Sequence, residues 1–338
     1  MALLEDIAEQ MGVSRRTVAA VLSGQSQPVR SAAQRRARQI RALADQMGYR
    51  PNAAARAIST GRFHQIGLLV GTGASTSTVP WRLERALTSQ LAEHDLQLVL
   101  ARLSDQQLTD PDLMPRILRE RAVDGLLIGY THAVPPPMID LIERHRIPAV
   151  WLNIQRDHDC VYLDDRDAAR RAAQHLIDAG RQRIAYVDFS RGRSELADAH
   201  YSHLAREAGY RDAMHQAGRE PWVVRGEKNP HAHQRLNEAR RLLEQADRPD
   251  AVLGYSEGAA APFLIAALQQ GIAVQDDLAL FTFADAPLNV GGVDLPTLLT
   301  DHERMGRAAV DLLLRKIEHP EQDLMPIVVP FSDGDLNA

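Results

Sequence analysis

Arg15 and Arg16 stand directly after Ser14, with Thr17 and Ala19 following. A planar guanidinium carries paired donors that match the acceptor edge of guanine in a DNA major groove. Serine is a residue type that caps the start of a helix. The chemistry this spacing suggests is recognition of a duplex rather than bond-making. Elsewhere the chemistry-bearing types are dispersed. The 13 His and the many acids assemble no nucleophile–base–acid triad by spacing, and there is no Walker loop. Gly71-Thr72-Gly73 lacks the third glycine of a dinucleotide fingerprint. His231 and His233 sit in a polar helix start with no third metal ligand in view. No catalytic residue, metal or cofactor is expected.

The elements that must position these arginines are legible from periodicity. Leu3, Leu4, Ile7, Ala8 and Met11 recur at helical spacing, and Gly12 ends that run. Thr17, Val18, Val21 and Leu22 continue a second helix capped by Ser14. Val13, Val18 and Val21 pack the two together and leave Arg15, Arg16 and Ala19 outward. The pattern is a helix-turn-helix. A third helix over 31–47 buries Ala37, Ile40, Ala44 and Met47, and its other face carries Arg35, Arg36, Arg38 and Arg41. Residues 52–59 are Ala-rich behind Pro51, too short to hold a helix alone.

Charge divides at the same place. The whole chain of 338 residues carries −5, which argues against a nucleic-acid partner until it is split. Residues 1–62 hold ten Arg and four acids, a balance of +6; the remainder holds 29 basic and 40 acidic residues, a balance of −11. A basic head on an acidic body is the asymmetry of a nucleic-acid reader joined to another module. The composition, 45% hydrophobic and 25% charged, is that of a globular protein with two or three folding units. One cysteine, Cys160, excludes a disulfide framework. No secretory signal or membrane span is read from the sequence, so a cytoplasmic location is expected.

From Gln65 onward, short apolar runs alternate with helical patterns. Strands are expected at 66–70, 96–101, 124–129 and 148–152, with helices at 82–94, 111–121 and 139–145. The cycle restarts after 160, with helices at 168–180, 204–217, 232–246 and 258–271 and strands at 183–188, 222–225, 251–255 and 278–283. Such alternation means parallel, helix-covered sheets. Two series mean two doubly wound α/β subdomains with a ligand cleft at the carboxyl ends of their strands. By strand ends alone, Tyr130, Asp188 and Phe189 are candidate ligand contacts.

The chain resembles the lactose-repressor/galactose-repressor (LacI/GalR) family of bacterial transcription regulators. In the head the resemblance rests on Asp6-Ile7-Ala8, Gly12-Val13-Ser14, Thr17-Val18, Val21-Leu22, Gly48-Tyr49-Arg50-Pro51-Asn52 and Ala55-Arg56. In the body it rests on Val123 to Ile128, Ile147-Pro148-Ala149-Val150, His175-Leu176, Arg206 with Gly209-Tyr210, Phe283-Ala284-Asp285 and Met305 to Ala309. It implies a helix-turn-helix head over 1–49, a hinge over 50–62 and a periplasmic-binding-protein-like body over 63–338. Within the body, 63–161 and 290–322 would form one subdomain, and 162–289 and 323–338 the other. It implies a homodimer on a near-palindromic DNA operator, most often as a repressor, with a small effector in the cleft: a sugar or sugar derivative, with a purine as alternative. Ser14, Arg15, Arg16, Thr17, Ala19, Asn52, Arg56 and Ile58 would meet DNA, Ile58 as a minor-groove wedge. Trp81, Arg206, Ser256, Glu257 and Asp285 occupy the family's effector positions, Ser256-Glu257 where Asn-Asp is usual. Ala19-Ala20 stand where Ser-Arg is usual, which removes polar groove contacts. A small-molecule binding protein without DNA regulation, and an enzyme on a doubly wound fold, are the competing classes.

Overall fold

The computed structural model describes residues 3–22, 31–52, 57, 60–72, 79–131, 134–190, 199–225 and 231–332. The chain divides into two compact units, Met1–Phe63 and His64–Ala338.

The first unit holds α1 (Leu4–Met11), α2 (Arg15–Leu22) and α3 (Ser31–Gln46). Gly12 stops α1 at φ 60°, a left-handed conformation that glycine adopts without steric cost, and its N–H caps the carbonyls of Ala8 and Glu9. Ser14 Oγ accepts the N–H of Thr17 at 3.1 Å and so fixes where α2 begins. Ile7, Ala8, Val18, Val21, Ala37, Ile40 and Ala44 form one buried cluster, with Val13 and Met47 half-buried at its edge. Leu3, expected on the apolar face of α1, is instead its exposed N-cap residue.

The second unit opens with β1 (Gln65–Gly71), α4 (Trp81–Glu93), β2 (Gln97–Leu103), α5 (Asp105–Thr109), α6 (Arg116–Arg119), β3 (Gly125–Ile128), α7 (Pro136–Arg144), β4 (Ala149–Leu152) and β5 (Cys160–Leu163). It continues with α8 (Asp165–Asp178), β6 (Ile184–Asp188), α9 (Tyr201–Gln216), β7 (Trp222–Arg225), α10 (Ala232–Leu243), β8 (Ala251–Gly254), α11 (Glu257–Gln270) and β9 (Ala279–Ala284). A hairpin of β10 (Leu288–Val290) and β11 (Val293–Leu295) precedes β12 (Thr297–Leu299), α12 (His302–Glu318) and β13 (Ile327–Val329). The helix expected over 111–121 is broken. Pro115 supplies no N–H and holds Met114 extended, so only the short α6 follows it.

Two parallel sheets result, in the orders β13-β5-β4-β3-β1-β2 and β12-β9-β8-β6-β7. Their strands are apolar on both faces, as sheets covered by helices on each side must be. The pairing moves two expected boundaries. β5 belongs with the first sheet, and β13 returns to that sheet beside it, in the register Ile327↔Val161, rather than joining the second subdomain. β12, expected in the first subdomain, pairs with β9 in the second sheet. Parallel pairing to β5 gives β13 a partner edge for its backbone and buries Val329 and Phe331 in the core.

Close helix packing depends on two glycines. A Cβ on Gly306 of α12 would lie 2.6 Å from the Cβ of Ala86 on α4, and a Cβ on Gly209 of α9 would lie 2.0 Å from the carbonyl oxygen of Arg166 on α8. The second clash is with backbone, which cannot swing aside. Gly209→Ala is therefore expected to lower the unfolding free energy by about 1–3 kcal/mol or more, read as a shift of the denaturant midpoint. An unchanged midpoint would show that the α8–α9 crossing is not held this tightly.

Candidate functional site

Polar side chains converge where strands of both sheets end. Asn153 follows β4, Asp165 follows β5, Asp188 ends β6, Tyr255 follows β8 and Asp285 follows β9. The start of α9 adds His200, Tyr201, Ser202, His203 and Arg206. This is the carboxyl-end cleft that a doubly wound sheet pair provides.

Arg206 is the centre. Its Nε donates to Asp165 Oδ1 at 2.6 Å and its Nη1 to the Tyr255 carbonyl at 2.5 Å. The guanidinium carbon lies 4.7, 4.3 and 5.5 Å from the ring centroids of Tyr255, Phe283 and Phe331. Burial is the largest influence and opposes its charge, yet the Asp165 carboxylate, together with the Tyr255 and Tyr186 side chains, outweighs it and holds the pKa above the ordinary value. A cation sandwiched by rings and tied to a fully buried carboxylate is a fixed centre, not a surface helix charge.

A hydrogen-bonded chain joins the two sheets beside it. His200 Nε2 donates to the Asn153 carbonyl at 2.6 Å, and His200 Nδ1 accepts from Ser202 Oγ at 2.7 Å, which pairs with the Tyr255 hydroxyl at 2.8 Å. The Tyr201 hydroxyl accepts the Leu163 N–H at 2.9 Å and lies 3.2 Å from Asn153 Oδ1. His203 Nδ1 donates to Asp188 Oδ2 at 2.6 Å and its ring stacks on Tyr255 at 4.0 Å. Burial would raise the Asp188 pKa, but the His203 contact and two bonds from Ser190 bring it below the usual range. Asp285 accepts from His302 Nε2 at 2.8 Å. Its pKa falls as well: partial burial opposes ionisation, and His302, Thr300 and the charge of Arg206 favour it. Asp285 and His302 border a cavity of about 710 Å³ that also reaches Ser332, Arg82 and Arg85.

The expected effector residues separate into three groups. Arg206, Asp188 and Asp285 lie in the convergent cluster. Tyr130 and Phe189 do not: Tyr130 is fully buried with its hydroxyl on the Leu103 carbonyl, and Phe189 is buried and stacked parallel on Phe263 at 6.2 Å. Both follow strand ends but turn into the core, because an aromatic ring beside a sheet buries more apolar area there than in a wet cleft. Trp81, Ser256 and Glu257 stand apart. Trp81 opens α4 at 62% exposure with the guanidiniums of Arg82 and Arg85 at 4.9 and 5.6 Å over its ring. Ser256 is the half-buried N-cap residue of α11, and Glu257 is exposed in its first turn. Asp165, Asn153, His200, His203 and Tyr255 were not expected. Strand ends alone would have pointed to Asn153, Asp165 and Tyr255, had β5 been recognised as a strand.

On the head, Arg15 and Arg16 are exposed at the start of α2, and Arg15 pairs with Glu5 at 2.9 Å. Ser14 is committed to its cap, its Oγ also 2.8 Å from Thr17 Oγ1, and Ala19 is half-buried. Asn52 is exposed; Arg56 and Ile58 lie outside the described residues, with the rest of 53–56 and Ser59.

Two alternative chemistries fail on geometry. Gly254-Tyr255-Ser256-Glu257-Gly258, which sequence reading overlooked, has the Gly-x-Ser-x-Gly spacing of a nucleophile elbow and lies between a strand and a helix. Ser256 is nevertheless fully extended (φ −157°, ψ 173°), not in a sharp strained turn, and no histidine reaches its Oγ among the described residues. His158, Asp159 and Asp323 gather ligand atoms within 4.8 Å. Asp159 Oδ2, however, already accepts from Lys316 Nζ at 2.7 Å and lies 2.9 Å from His158 Nδ1, so an ammonium fills the cation's place.

Comparison with known proteins agrees with this geometry. Residues 173–332 match the periplasmic binding protein-like domain family. The chain is 28% identical over 331 residues to the ribose operon repressor of Escherichia coli K12, covering 95% of this chain and 94% of that one. It is 25% identical over 334 residues to the HTH-type transcriptional repressor PurR of Haemophilus influenzae PittEE, covering 95% and 93%. The lac repressor dimer bound to operator and the anti-inducer ONPF superimposes with a TM-score of 0.75 at 22% identity, over 98% of this chain and 97% of that one. A small helical head followed by a periplasmic-binding-protein-like body is the architecture this chain shares with those solved repressors. Over nearly its whole length the chain is similar to transcriptional repressors of the LacI family. No helix among the described residues is long and apolar enough to cross a membrane.

The joint between the sheets has a pH signature. Burial pushes His200 down from 6.5 to about 4, against the raising effects of the Asn153 carbonyl and Asp165. The unfolded chain takes up this proton near pH 6.5 and the fold only near pH 4. The neutral form's contribution is therefore complete above pH 6.5, is lost as pH falls, and levels off near pH 4, spanning about 3 kcal/mol. His200→Gln is expected to flatten the rise of unfolding free energy between those pH values. An unchanged slope would move the titration elsewhere.

Proposed function

We propose that this regulator acts as a repressor: a homodimer that sets two α2 helices in the major grooves of a near-palindromic operator and is controlled by a sugar or sugar derivative in the body's cleft. The observation that carries the effector reading is the convergence of buried polar groups from both sheets on Arg206. Two of its atoms support it further. Asp165 Oδ2 and the Tyr186 hydroxyl are buried without a hydrogen-bond partner. Buried polar atoms left unpaired cost about 1–3 kcal/mol each, and ligand hydroxyls are of the right chemistry to satisfy them. The aromatic rings of Tyr255, Phe283 and Phe331 border the same centre and suit the apolar faces of a sugar ring. Sugars appear in the names of a ribose operon repressor and of a regulator solved as a CelR–cellobiose complex, while the PurR relatives carry none.

The operator reading rests on exposed Arg15 and Arg16 at the capped start of α2. The effector changes operator affinity only through unequal affinity for two arrangements of the body.

Three measurements test the reading. Operator affinity is expected to fall linearly in log K against log[salt], as arginines on phosphates release counterions; a flat dependence counts against DNA binding. Arg16→Ala is expected to relax preference at one base pair by about 1–3 kcal/mol, measured on a panel of operator variants. A uniform loss across the panel would make Arg16 a phosphate contact. For the cleft, a thermal-shift panel of sugars and purines is expected to show a rise with a sugar, since a bound ligand stabilises by mass action. A rise with a purine alone would overturn the sugar assignment.

A further inference from the structure

We propose that the cleft selects uncharged over acidic forms of its effector and that Asp165 is the residue that sets this selection. The inference rests on the small-molecule reading above and goes one step beyond it.

Among the described residues, Arg206 is the one guanidinium at the convergence, and an unpaired guanidinium there would be a fork for a carboxylate or phosphate. It is not unpaired. Nε is committed to Asp165 Oδ1 at 2.6 Å, Nη1 to the Tyr255 carbonyl, and rings border the guanidinium. The Asp165 side chain has no exposed surface and that of Arg206 only 12%, so the pair cannot open without leaving a carboxylate buried and alone. An incoming anion would have to sit beside that carboxylate as a second negative charge.

The remaining charges in the cluster point the same way. Asp188 and Asp285 face the site from β6 and from the end of β9, held by His203 at 2.6 Å and His302 at 2.8 Å. With both of these imidazoles protonated, three carboxylates oppose three cations; with both neutral, the cluster is negative. Among the described residues that bond within this cluster, neither case leaves a surplus positive charge to hold an acid. A neutral polyol meets no such penalty, because hydroxyls donate to carboxylates and accept from the histidines. Asp165 Oδ2, buried and without a partner, is an acceptor that a hydroxyl can satisfy and a carboxylate cannot.

The test pairs each aldose with its acid. Full-length protein is titrated by calorimetry with D-ribose and D-ribonate, and with D-glucose and D-gluconate, alongside Asp165→Asn, which keeps the shape and removes the charge. In the unaltered protein the aldose of at least one pair is expected to bind tighter than its aldonate by about tenfold or more. Asp165→Asn is expected to shift that ratio toward the acid by about tenfold, because Arg206 then carries an unopposed charge. An aldonate that binds the unaltered protein as well as its aldose overturns this inference and leaves the sugar reading standing. So does an unchanged ratio in a folded Asp165→Asn protein. Silence from every probe in the unaltered protein overturns the sugar reading and this inference with it. If the variant does not fold, the ratio in the unaltered protein decides alone.

Discussion

The pairing of Arg206 with Asp165 is the constraint on which the rest of the cleft depends. Arg206 sits on α9, Asp165 on α8, and the Tyr255 carbonyl that takes the second guanidinium nitrogen follows β8. One side chain thereby joins two helices and a strand end of the second sheet. Its rings, Phe283 and Phe331, come from the ends of β9 and of the first sheet's β13. Breaking such a pair leaves a buried charge unmatched, commonly a loss of about 3–5 kcal/mol. That cost restricts the local geometry around Arg206 to arrangements in which both partners move together.

The close α8–α9 crossing serves the same end. Gly209 lets the two helices approach until Arg166 and the glycine backbone touch, and this brings the first turn of α8 under Arg206. On the other side, α12 lies against α4 through Gly306 and against the first sheet where Gly125 faces Leu313 and Ile317.

Much of this was legible in the sequence, and the misses share physical causes. The head followed from periodicity, Gly12 and Ser14, because local capping and an apolar stripe are local signals. The alternation of strands and helices was legible for the same reason. β5 was not, since four residues, Cys160 to Leu163, leave too short a run to distinguish from loop. Missing β5 hid Asp165 and sent β13 to the wrong sheet. The candidates placed by strand ends alone diverge: Tyr130 and Phe189 turn into the core, since position after a strand says nothing of which way a ring turns, whereas Asp188 stays in the polar cluster because a carboxylate cannot enter an apolar core without a partner. Arg206 and Asp285 came from family resemblance, which carries tertiary information that periodicity lacks. Trp81 came by the same route and stands apart from the cluster, so the resemblance transferred position more surely than contact.

A ligand can bias a regulator only if some contacts exist in one arrangement of the body and not in another. Among the described residues, the bonds that cross between the sheets include His200 to the Asn153 carbonyl, Tyr201 to Asn153 and to the backbone of Leu163, and Ser332 to the Leu299 carbonyl. Any rotation of one sheet against the other must stretch these, whereas the bond of Arg206 to Asp165 and its bond to Tyr255 run within the second subdomain and survive it. Ser202 links the two sets, since its hydroxyl touches both His200 and Tyr255. A ligand that engages Tyr255 or Ser202 therefore competes with, or completes, the chain of bonds that holds the sheets in this relation.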